Sequence, residues 1–421
     1  MRLLTFLGIG RYDLTEYVWG DRSYQTRFAP AAVCRFLDVA EIAVFATEEA
    51  EQAHRQALSE AVGDVSICFV PIPTGQTTAE LWHIFTTITQ AVAPGEQVAF
   101  DVTHGLRSLP LVGLLAAAFL QSARHIELEA VLYGAYDVRD KSVDPPRTPV
   151  FDLTPMLSLL RWAYAADRFE RFGDARDLGA LLLEIKDRSV RQASGDRNVI
   201  EAVSGLNSTA GTLNGASLAL RLIRVNEALQ TAACIPVALE RARPAFEAAA
   251  AIHPFELLAD DIGRAMAPLA FETPDDPSRL NETLDAQRRV IAWYLDKQQL
   301  VQAVTLAREW LVSWAMACLG QSDLLDQKLR ETVSNTLNSE AHRWRESTEK
   351  DSFRSVCFAN APRFVEVLKL WNALVEVRND IDHAGMRRGA QSAKVLAERV
   401  VDLCKELQEL PLPAQPTQHP A

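Results

Sequence analysis

Phe100-Asp101-Val102-Thr103-His104-Gly105-Leu106-Arg107-Ser108-Leu109-Pro110 is the stretch that decides the fold class of the first part of this chain. Its apolar start, Val98–Phe100, is short enough for a buried strand. The apolar run from Leu109 to Ala123 is long enough for a helix. Between them lie Thr103, Gly105 and Ser108, residues that suit a turn whose backbone N–H groups and hydroxyls face a ligand. The helix N-terminus adds a partial positive charge and Arg107 a full one, which together describe a place for a phosphate. A plainer arrangement uses the same residues: Thr103 and Ser108 cap the helix and His104 makes a local hydrogen bond. Chemistry alone leaves both open.

Outward from this junction the pattern repeats. Apolar runs at Leu3–Leu7, Ile42–Ala46, Val65–Val70 and Leu128–Tyr133 alternate with helical patterns near Ala29–Phe36, Glu48–Val62 and Thr78–Val92. Strands separated by helices imply right-handed crossovers and a mainly parallel α/β sheet of Rossmann-like type. Loops after such strands carry ligands. Here they place Gly8, Gly10, Arg11, Thr47, Gly75, Gln76, Thr77, Thr103, His104, Gly105, Arg107, Ser108 and Gly134 around one expected pocket. A dinucleotide fingerprint would need Gly-x-Gly-x-x-Gly after the first strand. Gly8-Ile9-Gly10 is followed by Tyr12 and Asp13, so the third glycine is missing, although Glu48 after the second strand keeps that reading in play.

Two apolar segments resemble membrane or export signals. Leu3–Gly8 runs into Arg11 and Asp13 without a small-residue cleavage site and reads as a buried strand. Leu109–Leu120 lies between Arg107 and Arg124, is too short to span a bilayer, and reads as a helix buried against the sheet. Six scattered cysteines form no CxxC pair, so neither a disulfide framework nor a zinc knuckle is expected, and a reduced, cytoplasmic setting fits. No metal site or bound cofactor is expected. The net charge of −12 argues against a surface that coats nucleic acid, though not against a local basic groove.

After Pro155 the texture is helical to about Leu258, and a turn-former cluster, Thr273–Ser278, reads as a linker. The expected organisation is an α/β domain at 1–154, a helical middle region at 155–275, a helical domain at 276–412 and a disordered tail at 413–421. Late in the last domain stands Val377-Arg378-Asn379-Asp380-Ile381-Asp382-His383-Ala384-Gly385. Arg378 and His383 lie about 140° apart around an ideal helix, so spacing alone does not put them on one face. Gly385 and Gly389 predict a helix end or bend nearby that would bring them together. An arginine five residues before a histidine is a weak pattern, expected about once by chance in a chain of this size. It stands out here because no other histidine has an arginine five to seven positions before it. His342-Arg343-Trp344-Arg345 and Glu309-Trp310 place aromatics beside charges, as RNA stacking needs, but such spacing is more often core packing.

Asp101-Val102-Thr103-His104-Gly105 with Arg107-Ser108-Leu109-Pro110 resembles the Asp-x-Thr-His-Gly motif of CRISPR-associated CARF (Rossmann-like) proteins. Gly8-Ile9-Gly10, Thr47-Glu48-Glu49-Ala50, Glu80-Leu81-Trp82, Tyr133-Gly134-Ala135 and Pro149–Pro155 resemble further stretches of that family, in its order. The resemblance covers about the first 180 residues. It implies a dimeric or higher homo-oligomeric domain that binds cyclic oligoadenylate, cyclic tetra-adenylate first among them, as an activator. The Arg378, Asn379 and His383 pattern resembles the active-site motif of HEPN ribonucleases, which cut single-stranded RNA without a metal when two motifs meet across a dimer.

The implied chemistry is physically reasonable. RNA carries its own nucleophile, the 2′-OH, so the protein supplies proton transfer and charge stabilisation. A histidine suits the first role, and an arginine, which does not deprotonate, suits the second. Asn379 would orient the phosphate or the histidine. Asp382 departs from the family pattern, in which many members carry a small residue. The implied function is a cyclic oligoadenylate-activated endoribonuclease of type III CRISPR defence, leaving 2′,3′-cyclic phosphates. Two alternatives stand beside it: a non-catalytic sensor that recruits a partner, and a sensing domain that degrades its own messenger.

Overall fold

A computed structural model describes residues 1–105, 108–350, 352–359, 361–386 and 388–413. The chain divides into two units, Met1–Arg161 and Trp162–Ala421. The first is an α/β sheet unit and the second is helical. Among the described residues no helix is long and apolar enough to cross a membrane.

The first unit is built on an eight-stranded sheet. Its strands are β1 (Arg2–Leu7), β2 (Thr15–Trp19), β3 (Arg22–Thr26), β4 (Glu41–Ala46), β5 (Ser66–Pro71), β6 (Gln97–Asp101), β7 (Glu127–Gly134) and β8 (Arg147–Asp152), in the order β3-β2-β8-β7-β6-β1-β4-β5. β7, β6, β1, β4 and β5 form a parallel block, with β1 between β6 and β4. The connecting helices are α1 (Ala29–Phe36), α2 (Glu48–Val62), α3 (Thr78–Gln90) and α4 (Ser108–Ala123). The expected strands and helices of this block are all present.

The other three strands go beyond the apolar pattern. β2 and β3 form an antiparallel hairpin whose two-residue turn, Gly20-Asp21, puts glycine at φ 59°. β2 then pairs parallel to β8, and β8 pairs antiparallel to β7. The hairpin therefore carries the chain from the end of β1 to the far edge of the sheet before α1 begins.

Leu3, Leu4, Phe6, Ile42–Phe45 and Val98–Phe100 are fully buried, as strands covered on both faces require. α4 departs from expectation. Its lack of charge predicts a helix buried all round. Leu109, Ala116, Ala117 and Leu120 are indeed buried, but Leu111, Leu115 and Phe119 are 62%, 51% and 49% exposed. These three recur every four residues, so one helical face is covered by the sheet and the opposite apolar face is open.

The second unit holds the end of α5 (Thr154–Phe172), then α6 (Arg176–Gln192), α7 (Arg197–Arg221), α8 (Val225–Ala248), α9 (His253–Met266), α10 (Leu280–Asp296), α11 (Leu300–Cys318), α12 (Gln327–Glu346), α13 (Phe364–Asp382) and α14 (Ala393–Gln408). One continuous apolar core runs from Trp162 to Leu410 and includes residues on both sides of the Thr273–Ser278 turn. Tyr294 Oη of α10 donates to the Leu220 carbonyl of α7 at 2.6 Å inside it. α11 is its axis, with every residue from Trp310 to Ala317 buried. Trp310 Nε1 donates to the Leu284 carbonyl, so this tryptophan is core and not a stacking surface. Pro411, just before the expected tail, is anchored: its carbonyl accepts from Trp314 Nε1 at 2.8 Å. Of the expected tail at 413–421, Pro413 is held by its carbonyl, which accepts from Asn281 Nδ2 at 3.1 Å, and residues 414–421 lie outside the described residues.

Candidate ligand-binding site and the helical motif

The sheet reverses its winding between β1 and β6, and the loops leaving these two strands part there. A cavity of about 720 Å³ opens at that point, at the C-terminal ends of β1, β4, β5, β6 and β7. Gly8, Gly10, Arg11, Thr47, Gln76, Thr103, His104, Gly105 and Gly134, all expected there from the sequence, line it. Gly75, Thr77 and Ser108 do not, and Arg107 lies outside the described residues.

The Asp101–Gly105 loop is held by its own side chains. Asp101 is fully buried at the end of β6, accepting from Thr5 Oγ1 at 2.7 Å and from the Thr103 N–H at 3.1 Å. Burial pushes its carboxyl up, and these hydrogen bonds pull the other way. Thr103 Oγ1 in turn accepts from the Gly134 N–H at 2.8 Å, tying the loop after β6 to the end of β7. His104 Nε2 accepts from the Ala29 N–H at 3.0 Å, capping the first turn of α1. Desolvation, and then the neighbouring His54, push His104 down to about 3, so its ring is neutral with the proton on Nδ1. Gly105 sits at φ 108°, and a Cβ there would come within 2.8 Å of Leu109 Cδ1.

Two neighbouring loops are tied down in the same way. Glu80 reaches back from α3 and its Oε2 accepts from the Gly75 N–H at 2.8 Å and the Gln76 N–H at 3.1 Å. Thr77 Oγ1 accepts from the Glu80 N–H and so caps α3. The Gln76 amide, ahead of the other donors, holds the Glu80 carboxyl below the usual range. The Gly75 and Gln76 amides are thus used by the protein itself. Tyr12 Oη accepts from the Gly8 N–H at 2.9 Å and donates to the Gly8 carbonyl, while its ring lies 4.1 Å from that of His104.

Sequence reasoning missed Tyr17, Arg27, Glu49, Tyr136 and Asp137, which also line the cavity. Arg27 and Tyr17 come from the hairpin, whose position in the sheet no local pattern announces. Tyr136 Oη donates to Asp13 at 3.2 Å, joining the loop after β1 to the segment after β7.

In the second unit, α13 runs unbroken to Asp382, and His383 is its C-terminal cap. The left-handed residues Ala384 (φ 51°) and Gly385 (φ 67°) come after the histidine. The bend therefore follows the pair, and within one chain Arg378 and His383 keep different faces of the helix. Arg378 Nε meets Asp382 Oδ2 at 3.0 Å, one turn on, each side chain about two-fifths exposed. Asn379 and His383 are exposed, and the His383 N–H donates to the Asn379 carbonyl. Asp380, between them, is buried and accepts from the Gln391 N–H. Among the described residues no group of three or more His, Cys, Asp or Glu side chains is arranged to hold a metal ion.

The class that fold and site define is an α/β unit with a cavity at its switch point, continued by a helical unit. No protein-family model matches the chain. Among curated proteins it is similar to the CRISPR-associated protein MJ1674 of Methanocaldococcus jannaschii. The two are 27% identical over 117 residues, covering 27% of this chain and 18% of the relative. The chain thus matches less than a fifth of the length of that curated relative, and the likeness links it in part to CRISPR-associated proteins.

Proposed function

We propose that this chain is a cyclic oligoadenylate-activated, metal-independent endoribonuclease, with a CARF-type sensor in its first unit and a HEPN-type active site at Arg378, Asn379 and His383. The observation that carries the sensor half is the 720 Å³ cavity at the switch point, lined by Thr103, His104 and Gly105. The partial similarity to a CRISPR-associated protein supports it. A cyclic messenger has its own rotational symmetry and suits a pocket shared by two copies of the chain. Messenger binding switches cleavage only if it favours the active arrangement over the resting one.

In the cutting half, Arg378 and His383 of one chain keep different faces of α13, so the reading needs motifs from two copies to meet. His383 takes and returns the proton, and Arg378 stabilises charge on the phosphorane-like transition state. A second reading, a sensor whose helical unit only recruits a partner, is favoured by one observation: Arg378 is already paired with Asp382. Incubating the full chain with labelled RNA, with and without cyclic tri-, tetra- and hexa-adenylate, separates the two. Messenger-dependent cleavage lost in Arg378→Ala and His383→Ala supports the ribonuclease. Messenger binding without cleavage leaves the recruiting sensor.

A further inference from the structure

We infer that Arg27, which follows the β2–β3 hairpin, is the side chain that holds the ligand's anionic groups. This rests on the cyclic oligoadenylate reading above and names the residue that would recognise the phosphodiesters of such a ligand.

Several polar groups in the cavity are already spent. Thr103 Oγ1, His104 Nε2 and the Gly8, Gly75 and Gln76 amides all have protein partners within hydrogen-bonding distance. Thr47 Oγ1 caps α2 by accepting from the Ala50 N–H. Among the described residues, open amides remain on two sides of the cavity, at His104 and Gly105 and in the segment between β1 and α1. The N–H groups of Ile9, Gly10 and Arg11 have no hydrogen bond among the described residues.

The cations single out one position. Arg11 and Arg27 are the charged donors on the described cavity wall, and Asp13, Glu49 and Asp137 are acids on it. Arg11 Nε already lies 3.6 Å from Asp13. Arg27 makes no ion pair or side-chain hydrogen bond among the described residues, although three carboxylates share its cavity. Its backbone is nevertheless fixed. Thr26 Oγ1 accepts from the Phe28 N–H at 3.2 Å, and the next amide, Ala29, is the one bound by His104. A guanidinium on a fixed backbone with no internal partner is available to a phosphodiester, which it can grip through two N–H groups. The motif loop acts indirectly, because through His104 and α1 it sets where Arg27 stands.

The test is titration calorimetry of the full chain with cyclic tri-, tetra- and hexa-adenylate, using wild type, Arg27→Ala, Arg27→Lys and Arg11→Ala. For whichever ring binds, Arg27→Ala should weaken affinity by at least about tenfold, the size of a lost charged hydrogen bond. Arg27→Lys should recover part of it, and the salt dependence of binding should be shallower in Arg27→Ala than in wild type. Arg11→Ala should cost less than Arg27→Ala. Arg27 is exposed and outside the core, so an unchanged melting curve is expected to accompany the loss. Wild-type binding matched within twofold by Arg27→Ala would overturn this assignment while leaving the sensor reading in place. No binding of any ring by wild type would overturn both.

Discussion

The backbone N–H of Ala29 donates to Nε2 of His104 across 75 residues of sequence, at 3.0 Å. This bond makes the histidine of the Asp-Val-Thr-His-Gly stretch the first-turn cap of a helix on another part of the sheet. Protonating His104 would replace the acceptor with a donor facing a donor. The group is held near 3, against an ordinary value of 6.5, by burial and by His54. Because the folded value is the lower one, the unfolded chain binds more protons between these limits. Stability from this group is complete above about pH 6.5 and falls as pH drops toward 3. At pH 5 the loss is about 2 kcal/mol. His104→Gln keeps an acceptor that does not titrate, so urea unfolding at pH 7.5 and pH 5 should show a smaller acid loss in the variant. Equal losses in the two proteins would mean that His104 is not the titrating cap.

Glycine is needed at one point of this site and dispensable at another. Gly105 combines φ 108° with a path that brings a Cβ within 2.8 Å of Leu109 Cδ1. Gly105→Ala should destabilise the first unit by about 1–3 kcal/mol. Gly10 has an ordinary φ and nothing within 4 Å of its would-be Cβ, so Gly10→Ala should change stability by less than about 0.5 kcal/mol. Thermal unfolding of both variants checks the contrast. Equal stability of the two would show that the loop relaxes around position 105.

These loops also show what a sequence can and cannot reveal. The parallel block is readable because strands covered on both faces are continuous apolar runs, as in Ile42–Phe45, and because a helix such as α2 is bounded by a capping Thr47 and by Gly63. β2, β3 and β8 are not. They mix buried Tyr17 and Thr148 with exposed Arg22, Gln25 and Arg147, and Pro149 inside β8 reads as a strand breaker. Missing the hairpin means missing Arg27. The motif residues Thr103, His104 and Gly105 do line the cavity, but spacing does not say whether a threonine or histidine there faces a ligand or the protein. In α4, composition shows that no residue is charged but not that Leu111, Leu115 and Phe119 share an open face.

The helical motif yields the last prediction. Arg378 and Asp382 are one turn apart on α13 with Nε and Oδ2 at 3.0 Å, and both are partly solvated. An exposed pair of this kind contributes about 0.3–0.5 kcal/mol, so Asp382→Ala should leave the melting curve almost unchanged. If Arg378 stabilises the transition state, its release from Asp382 should raise RNA cleavage severalfold in the presence of messenger. Arg378→Ala and His383→Ala should each nearly abolish cleavage while messenger affinity stays that of wild type. Cleavage should continue in EDTA, and a 2′-deoxy nucleotide at the cut site should block it, because the nucleophile belongs to the RNA. Products should end in a cyclic phosphate. Cleavage unchanged in Asp382→Ala would mean the ion pair does not restrain Arg378. A reaction stopped by EDTA, or equal cutting of the deoxy substrate, would exclude 2′-OH attack assisted by these two residues.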